Sequence, residues 1–489
     1  MTANSLLANA TADVQVPHYD RSTLTAGILH FGVGGFHRAH QALAIDRLLD
    51  AGVAREWAIC GVGLMPGDRR MRDVLSGQEG LYTLVEKHPD GRRDARVVGS
   101  IIDYLYAPDD PEAVLERLAD PATRIVSLTV TEGGYNISPV SGEFDLSNAA
   151  VAADLAPGAT PGTTFGLITE ALRRRRDRGI GAFTVMSCDN IQGNGHVAQR
   201  AFAAFAQALD PALADWIDSN VRFPNSMVDR ITPVTTDADR EEIRKQFGID
   251  DGWPVVAEPF FQWVLEDSFA DGRPPYEDAG VQVVADVEPY ELMKLRLLNA
   301  SHQALAYFAH LSGYRYAHEA AGDPVFARFL LAYMHTEGIP TLRPVPGIDL
   351  DDYTRTLIER FSNPEVKDTI ARLAAESSDR IPKWLVPVIR ENLAANRPVR
   401  LSAAIVASWA RYAEGVDEVG EPITVVDRLA DTLTATAKTQ QSDPTAFLRN
   451  RELFGDLVDD ERFVSEYVSA LESLHTRGAY ATVVALAGD

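Results

Sequence analysis

Cysteine is nearly absent. Cys60 and Cys188 are the only two in 489 residues, too few for a disulfide framework or a zinc ribbon. Both stand in apolar, strand-like runs, where a small buried hydrophobe is the expectation. Positive charge is also in deficit: 46 Lys and Arg against 70 Asp and Glu leave a formal net charge of −24. Such a field repels polyanions and argues against nucleic acid or an anionic membrane surface as partner. No apolar stretch reaches the roughly 18 residues of a membrane helix, and MTANSLLANATADV at the start lacks the charged and apolar blocks of a signal peptide. A soluble, cytoplasmic chain is expected. What is present, 46% apolar and 24% charged residues, is the mixture of an ordinary globular protein. The length calls for at least two domains.

The first half alternates strand-like and helical patterns. Ala26–Phe31 (AGILHF) runs into a glycine cluster, and His37–Asp50 follows with helical periodicity. Trp57–Leu64, Arg124–Val130 and Ala182–Ser187 are further strand candidates, and Thr164–Arg176 is a helix stopped by Gly179. That order calls for a parallel sheet. The arginine run Arg173–Arg176 sits in a helix's last turn beside Asp177, which reads as a solvated face complementing the helix dipole. From Glu288 the periodic segments become long and helical: Tyr290–Leu311, Pro324–His335, Asp352–Arg360, Asn363–Glu376, Pro382–Ala395 and Ser402–Tyr412. An α/β domain over residues 1–285 and a predominantly α-helical domain over 286–489 are the expected architecture.

Gly32, Gly34, Gly35 and Phe36 follow the first strand and open a helix. This is the context in which glycines serve a dinucleotide pyrophosphate in a Rossmann-like fold. The usual third glycine falls at His37, and a plain βα turn is the competing reading. An acidic residue ending the second strand should hold the adenosine ribose. Asp68 is the best placed, although it comes 36 positions after Gly32 rather than about 20. Arg69 and Arg70 beside it leave a 2′-phosphate, and so NADP, as a minor alternative.

Within ELMKLRLLNASHQALAYF (Glu291–Phe308), Lys294 stands among Met293, Leu295, Leu297 and Leu298, with Asn299 and His302 further on. At about 100° per residue, Asn299 falls about 140° and His302 about 80° from Lys294, over an axial span of about 12 Å. A polar side with apolar flanks fits a lined cleft, where desolvation would weaken an ammonium's hold on its proton, as a general base requires. On spacing alone a snorkelling lysine and a satisfied core histidine are the preferred account. His37 and His40 make a weak metal spacing without a third ligand, so no metal is expected. His310, His318 and His335 are lone, and Trp253, Phe260, Phe261 and Trp263 read as core.

Four blocks together resemble the polyol-specific long-chain dehydrogenase/reductase family: HFGVGGFHRAHQ (His30–Gln41), SCDNIQGNG (Ser187–Gly195), VRFPNSMVDRITP (Val221–Pro233) and KLRLLNASH (Lys294–His302). The resemblance implies an NAD-dependent, metal-independent oxidation of a polyol secondary alcohol to a ketose, with D-mannitol to D-fructose as the leading pair. It implies Lys294 as general base, Asn190 and Asn299 as donors to the developing alkoxide, and His302 as an orienting group. Glu132 would assist proton movement, although Gly133 stands beside it where relatives often carry lysine. Asp229 would contact substrate hydroxyls, with Arg372, Arg380 and Lys383 as candidates for the substrate wall. The partner is then a small polyol or ketose, and a monomer is one open reading of the assembly. Two alternatives stand beside this one. A hexuronate (fructuronate or tagaturonate) reductase of the same family would need an arginine for the substrate carboxylate. A non-catalytic NAD-binding redox sensor would have no use for a buried base.

Overall fold

The computed structural model describes residues 5–137 and 143–488. Contacts divide the chain into two compact units, Met1–Val287 and Glu288–Asp489. Among the described residues the first unit holds β1 (Ala26–Phe31), β2 (Ala58–Gly63), β3 (Tyr82–Lys87), β4 (Arg93–Val98), β5 (Ile101–Tyr106), β6 (Ile125–Leu128), β7 (Thr184–Ser187), β8 (Ser226–Asp229), β9 (Val255–Ala257), β10 (Gln262–Glu266) and β11 (Gln282–Val284). Five of them form one sheet in the order β5-β2-β1-β6-β7, every neighbour parallel. This is the doubly wound Rossmann order, in which the direction of winding reverses beside the first strand. Two three-stranded sheets, β4-β3-β9 and β11-β10-β8, complete the unit.

Every residue of β1, β2, β6 and β7 is buried. That is why these strands read as continuous apolar runs rather than alternating ones. Alternate residues serve two cores. Leu29, Phe31, Cys60, Val62, Val126, Leu128 and Val185 pack with residues of helices Pro111–Ala119, Thr164–Asp177 and Asn194–Leu209. Ile28, Ile59, Ile101, Ile125 and Met186 pack with residues of helix Gln41–Asp50 on the other face.

The expected helix over His37–Asp50 is two helices, Gly35–Ala39 and Gln41–Asp50, broken at His40 (φ −127°, ψ −87°). The His40 ring stacks on Phe36 and Phe261, and its Nε2 lies 2.9 Å from the Gln262 carbonyl oxygen. Those tertiary contacts override the local periodicity. In the arginine run, Arg173 and Arg174 pair with Glu170, Asp177, Glu112 and Glu116 as an exposed face should. Arg175 departs from that reading. It is buried, and its guanidinium donates to the carbonyls of Leu118, Asp120, Thr123 and Gly181.

Among its described residues the second unit contains helices and no strand. At its centre runs Ala300–Leu311, buried except at His302 and His310. Ala300, Ala304, Ala306 and Ala309 let Ile370–Ala374, Arg400–Tyr412 and Ala479–Ala487 approach it closely. Of the expected Asn363–Glu376 helix only Ile370–Ala374 is helical, because Lys367 takes a positive φ of 51° and Thr369 caps a new start. The expected Pro382–Ala395 helix is divided between Ser377–Trp384 and Val386–Ala394. Pro387, in the first turn of the latter, has no N–H to continue the ladder. Among the described residues no helix is long and apolar enough to cross a membrane.

Cys60 and Cys188 are both free and buried. Burial pushes the Cys60 thiol up to about 12 and raises Cys188 as well, so both stay protonated and inert. Ellman's reagent at pH 8 should label neither thiol in the native chain and both after denaturation. Rapid labelling of the native chain would contradict this core.

Candidate active site

In an open parallel sheet, ligands sit beyond the carboxyl ends of the strands where the strand order reverses. Here that point lies between β1 and β6. The glycine turn leaves the end of β1, and Thr129–Thr131 leaves the end of β6. Gly32 has φ +91°, and a Cβ there would stand 2.2 Å from the Thr129 carbonyl oxygen, so the fold itself demands glycine at this position. Gly34 and Gly35 are different. Apart from adjacent backbone, the closest described atom to an added Cβ is 3.7 Å away at each. No described atom crowds either position, whereas a pyrophosphate lying against the backbone would need both bare. The turn therefore fits a dinucleotide.

The missing third glycine has a structural counterpart. The buried His37 ring stacks on His30 with centroids 3.4 Å apart and planes 12° apart. His30 is held between Ser127 Oγ (2.8 Å) and Thr129 Oγ1 (2.9 Å). Burial lowers His30 to about 3, and burial together with the neighbouring His30 ring takes His37 well below its ordinary value. Both rings are neutral, as such close stacking requires. Both His40 nitrogens lie within hydrogen-bond reach of Gln262 and Gln41, which occupies them otherwise than by a metal. Glu86, His88 and Asp94 come within ligand reach of one another, but Arg230 holds Glu86, and Arg92 contacts both His88 and Asp94.

Asp68 begins helix Asp68–Gly77, and its Oδ2 accepts from Leu64 N (2.9 Å) and Met65 N (2.8 Å). Its Cβ lies 2.7 Å from where a Cβ on Gly63, the last residue of β2, would be. The late acid thus returns to the end of the second strand. Arg69 pairs with Asp109 at 3.0 Å, and Arg70 lies over the Trp253 ring at 4.5 Å.

Beyond β7 the chain turns through Cys188-Asp189 to the exposed Asn190. Asp189 escaped the sequence reading, although an acid directly after a wholly buried strand is a signal for it. Its carboxylate accepts from Thr131 N (2.7 Å), Val130 N (3.2 Å) and Tyr135 Oη (2.8 Å). It ties the segment after β6 to the segment carrying Asn190. Glu132 lies on the short helix Thr131–Gly134, and its side chain falls outside the described residues. Asn194 Nδ2 donates to Ser226 O (2.8 Å), and Ser226 N donates to Asn194 Oδ1 (2.9 Å). This reciprocal pair joins two of the sequence blocks and places the buried Asp229 at the end of β8.

In the second unit Lys294, Asn299 and His302 do not lie on a regular α-helix. Glu288–Met293 and Ala300–Leu311 are α-helical, but Lys294–Asn299 between them is a π-helical turn. The assumption of 100° per residue fails there. Bonds from i to i+5 widen the turn and bring positions five apart, Lys294 and Asn299, much nearer to one side than 140°. Lys294 and Asn299 are 7% and 4% exposed. Asn299 Nδ2 has no hydrogen-bond partner among the described residues, and a buried donor without one calls for an explanation. The half-buried His302 packs on Phe361 at 4.4 Å. Of the candidate wall residues, Arg372 is exposed and forks onto Asp368 one turn back. Arg380 Nη1 donates to the carbonyls of Arg372 and Leu373, and its guanidinium lies over Trp384. Lys383 is exposed.

Comparison with known proteins decides the relationship. Residues 26–278 match the mannitol dehydrogenase Rossmann domain and residues 286–475 the mannitol dehydrogenase C-terminal domain. The chain belongs to the mannitol dehydrogenase family. Relatives in this family include the mannitol 2-dehydrogenase of Phaeosphaeria nodorum, 47% identical over 98% of this chain and 84% of that protein. That of Pyricularia oryzae is 45% identical over 99% and 97%. A solved Pseudomonas fluorescens mannitol 2-dehydrogenase, in ternary complex with NAD and D-mannitol, is 46% identical with a TM-score of 0.88, covering 98% of both chains. A D-sorbitol dehydrogenase in substrate-free form is 41% identical with a TM-score of 0.91 over 99% and 100%.

The family's glycine turn makes separable predictions. Gly32→Ala meets both strain and a backbone clash and should destabilise the chain by about 2 kcal/mol or more. Gly34→Ala, at φ −111°, should leave the melting temperature nearly unchanged yet weaken NADH binding about tenfold or more, read by fluorescence titration. Unaltered NADH binding in Gly34→Ala would remove the turn from the cofactor site.

Proposed function

We propose that this chain catalyses the reversible NAD-linked oxidation of D-mannitol to D-fructose, with the first unit binding NAD and the second carrying the base. The observation that carries the reading is the π-helical turn, where a buried amine and a buried amide without a partner among the described residues stand five residues apart. The family relationship and the ternary complex of a 46% identical relative support the same chemistry.

When bound, NAD supplies the hydride acceptor. The chain's own residues do the rest. Lys294, as the neutral amine, takes the hydroxyl proton from the carbon that loses hydride, leaving a ketone and a lysyl ammonium. Asn299 Nδ2, together with Asn190, donates to the oxygen as negative charge grows on it, stabilisation that strengthens toward the transition state. His302 orients the adjacent hydroxyl, and Glu132 carries the lysine's proton onward. Gly32, Gly34, Gly35 and Phe36 hold the pyrophosphate, and Asp68 holds the ribose. Asp229 contacts substrate hydroxyls, with Arg372, Arg380 and Lys383 left as wall residues.

The arginines favour a polyol over a uronate. A substrate carboxylate calls for a guanidinium fork, and Arg372 already spends its fork on Asp368 while Arg380 donates to backbone carbonyls. A redox sensor, for its part, would gain nothing from a desolvated lysine beside an unpartnered amide.

Purified chain should reduce NAD with D-mannitol, faster as pH rises and the amine loses its proton, and chelators should leave the rate intact. Activity confined to a hexuronate would replace the substrate assignment. Lys294→Ala should lower kcat by a factor of about 100 or more while NADH still binds; an unchanged kcat would remove the base.

A further inference from the structure

Tyr333 belongs to none of the sequence blocks, yet it touches the turn that carries the base. We propose that Tyr333 is a positioning residue that holds Lys294–Asn299 in its π-helical register, and with it the alignment of amine and amide donor. The proposal rests on reading Lys294 as the base.

The Tyr333 side chain is fully buried, and its hydroxyl donates to the Arg296 carbonyl oxygen at 3.1 Å. That carbonyl lies in the middle of the turn, among residues whose backbone bonds have shifted by one position. A side chain entering the ladder is a recognised cause of such irregularity, and π turns are rare because regular α geometry competes with them. Burial raises the Tyr333 phenol far above its ordinary value, so the hydroxyl remains a donor throughout the working pH range.

The same segment is gripped from further points. The Arg296 guanidinium donates to Thr341 O (2.6 Å) and forks onto Glu391 (2.9 and 2.7 Å). Tyr333 itself leads into a second π-helical turn, Met334–Gly338. The two turns pack closely: a Cβ on Gly338 would stand 2.8 Å from Leu297 Cδ2. The second turn is fixed in its own right. The buried Glu337 carboxylate accepts from Leu401 N (2.7 Å), Ser402 N (2.8 Å) and Ser402 Oγ, and its carbonyl accepts from Asn392 Nδ2 (2.9 Å). A rigid support therefore presents one hydroxyl to the carbonyl between Lys294 and Asn299. Without it, the turn is free to relax toward α geometry and move the amide away from the amine's side.

Tyr333→Phe keeps the ring and removes only the hydroxyl. Its kcat for mannitol oxidation should fall about 10- to 100-fold, the scale of a displacement near 1 Å, while KM and NADH affinity stay within about twofold. Tyr307→Phe is the control, since it removes another buried hydroxyl, bonded to the Gln303 and Ser377 side chains and not to the turn's backbone, and should keep its kcat at a similar loss of melting temperature. In a Lys294→Ala/Asn299→Ala background, Tyr333→Phe should have little further effect, the signature of action through those two groups. Gly338→Ala, pressing on Leu297, should reproduce the kcat loss and serves if Tyr333→Phe does not fold. An unchanged kcat in these variants, or the same factor persisting in the Lys294→Ala/Asn299→Ala background, overturns the proposal. Full activity of Lys294→Ala alone would instead remove the base assignment beneath it.

Discussion

A buried helix shows an amine and an amide five residues apart to one side only if its hydrogen-bond ladder slips by a residue. In regular α geometry the two point well away from each other. The π-helical turn at Lys294–Asn299 supplies that slip, and the chemistry proposed for the second unit depends on it. Burying these polar groups is unfavourable unless something compensates. Among the described residues the Asn299 amide has no such compensation, which fits the donor role proposed for it.

The first unit meets a related constraint. Its parallel sheet is buried on both faces, so polar function is confined to the strand ends. There the backbone is opened by glycines at 34 and 35, where the chain itself leaves room. Asp189 ties the segments after β6 and β7 together through three hydrogen bonds, and the Asn194–Ser226 pair secures the next block. The residues proposed for this part of the site stand at strand ends and helix starts whose geometry is fixed from behind.

Much of this was legible in the chain. AGILHF followed by Gly-Val-Gly-Gly announces a strand and a nucleotide turn because both signals are local: an apolar run and residues without Cβ. The strands at 57–64, 124–130 and 182–187 and the helix at 164–176 were legible for the same reason. What escaped depends on distant partners. The break at His40 is set by Gln262 and the aromatic rings around it, and the π turn by a tyrosine 37 residues away. A periodicity argument assumes regular geometry, so it placed Lys294 and Asn299 on one helix but misjudged the angle between them. The helix over 363–376 failed for a local reason that composition hides, a positive φ at Lys367. The substrate wall was least legible, since nothing in the spacing of Arg372, Arg380 and Lys383 says which guanidinium already has a partner.

The most direct test is a crystal structure of this chain with NAD and D-mannitol. Lys294 Nζ and Asn299 Nδ2 should both lie within about 3 Å of the oxygen on the carbon that faces the nicotinamide, with the turn still π-helical. A regular α-helix through these residues, or a lysine directed into solvent with substrate bound elsewhere, would contradict the account.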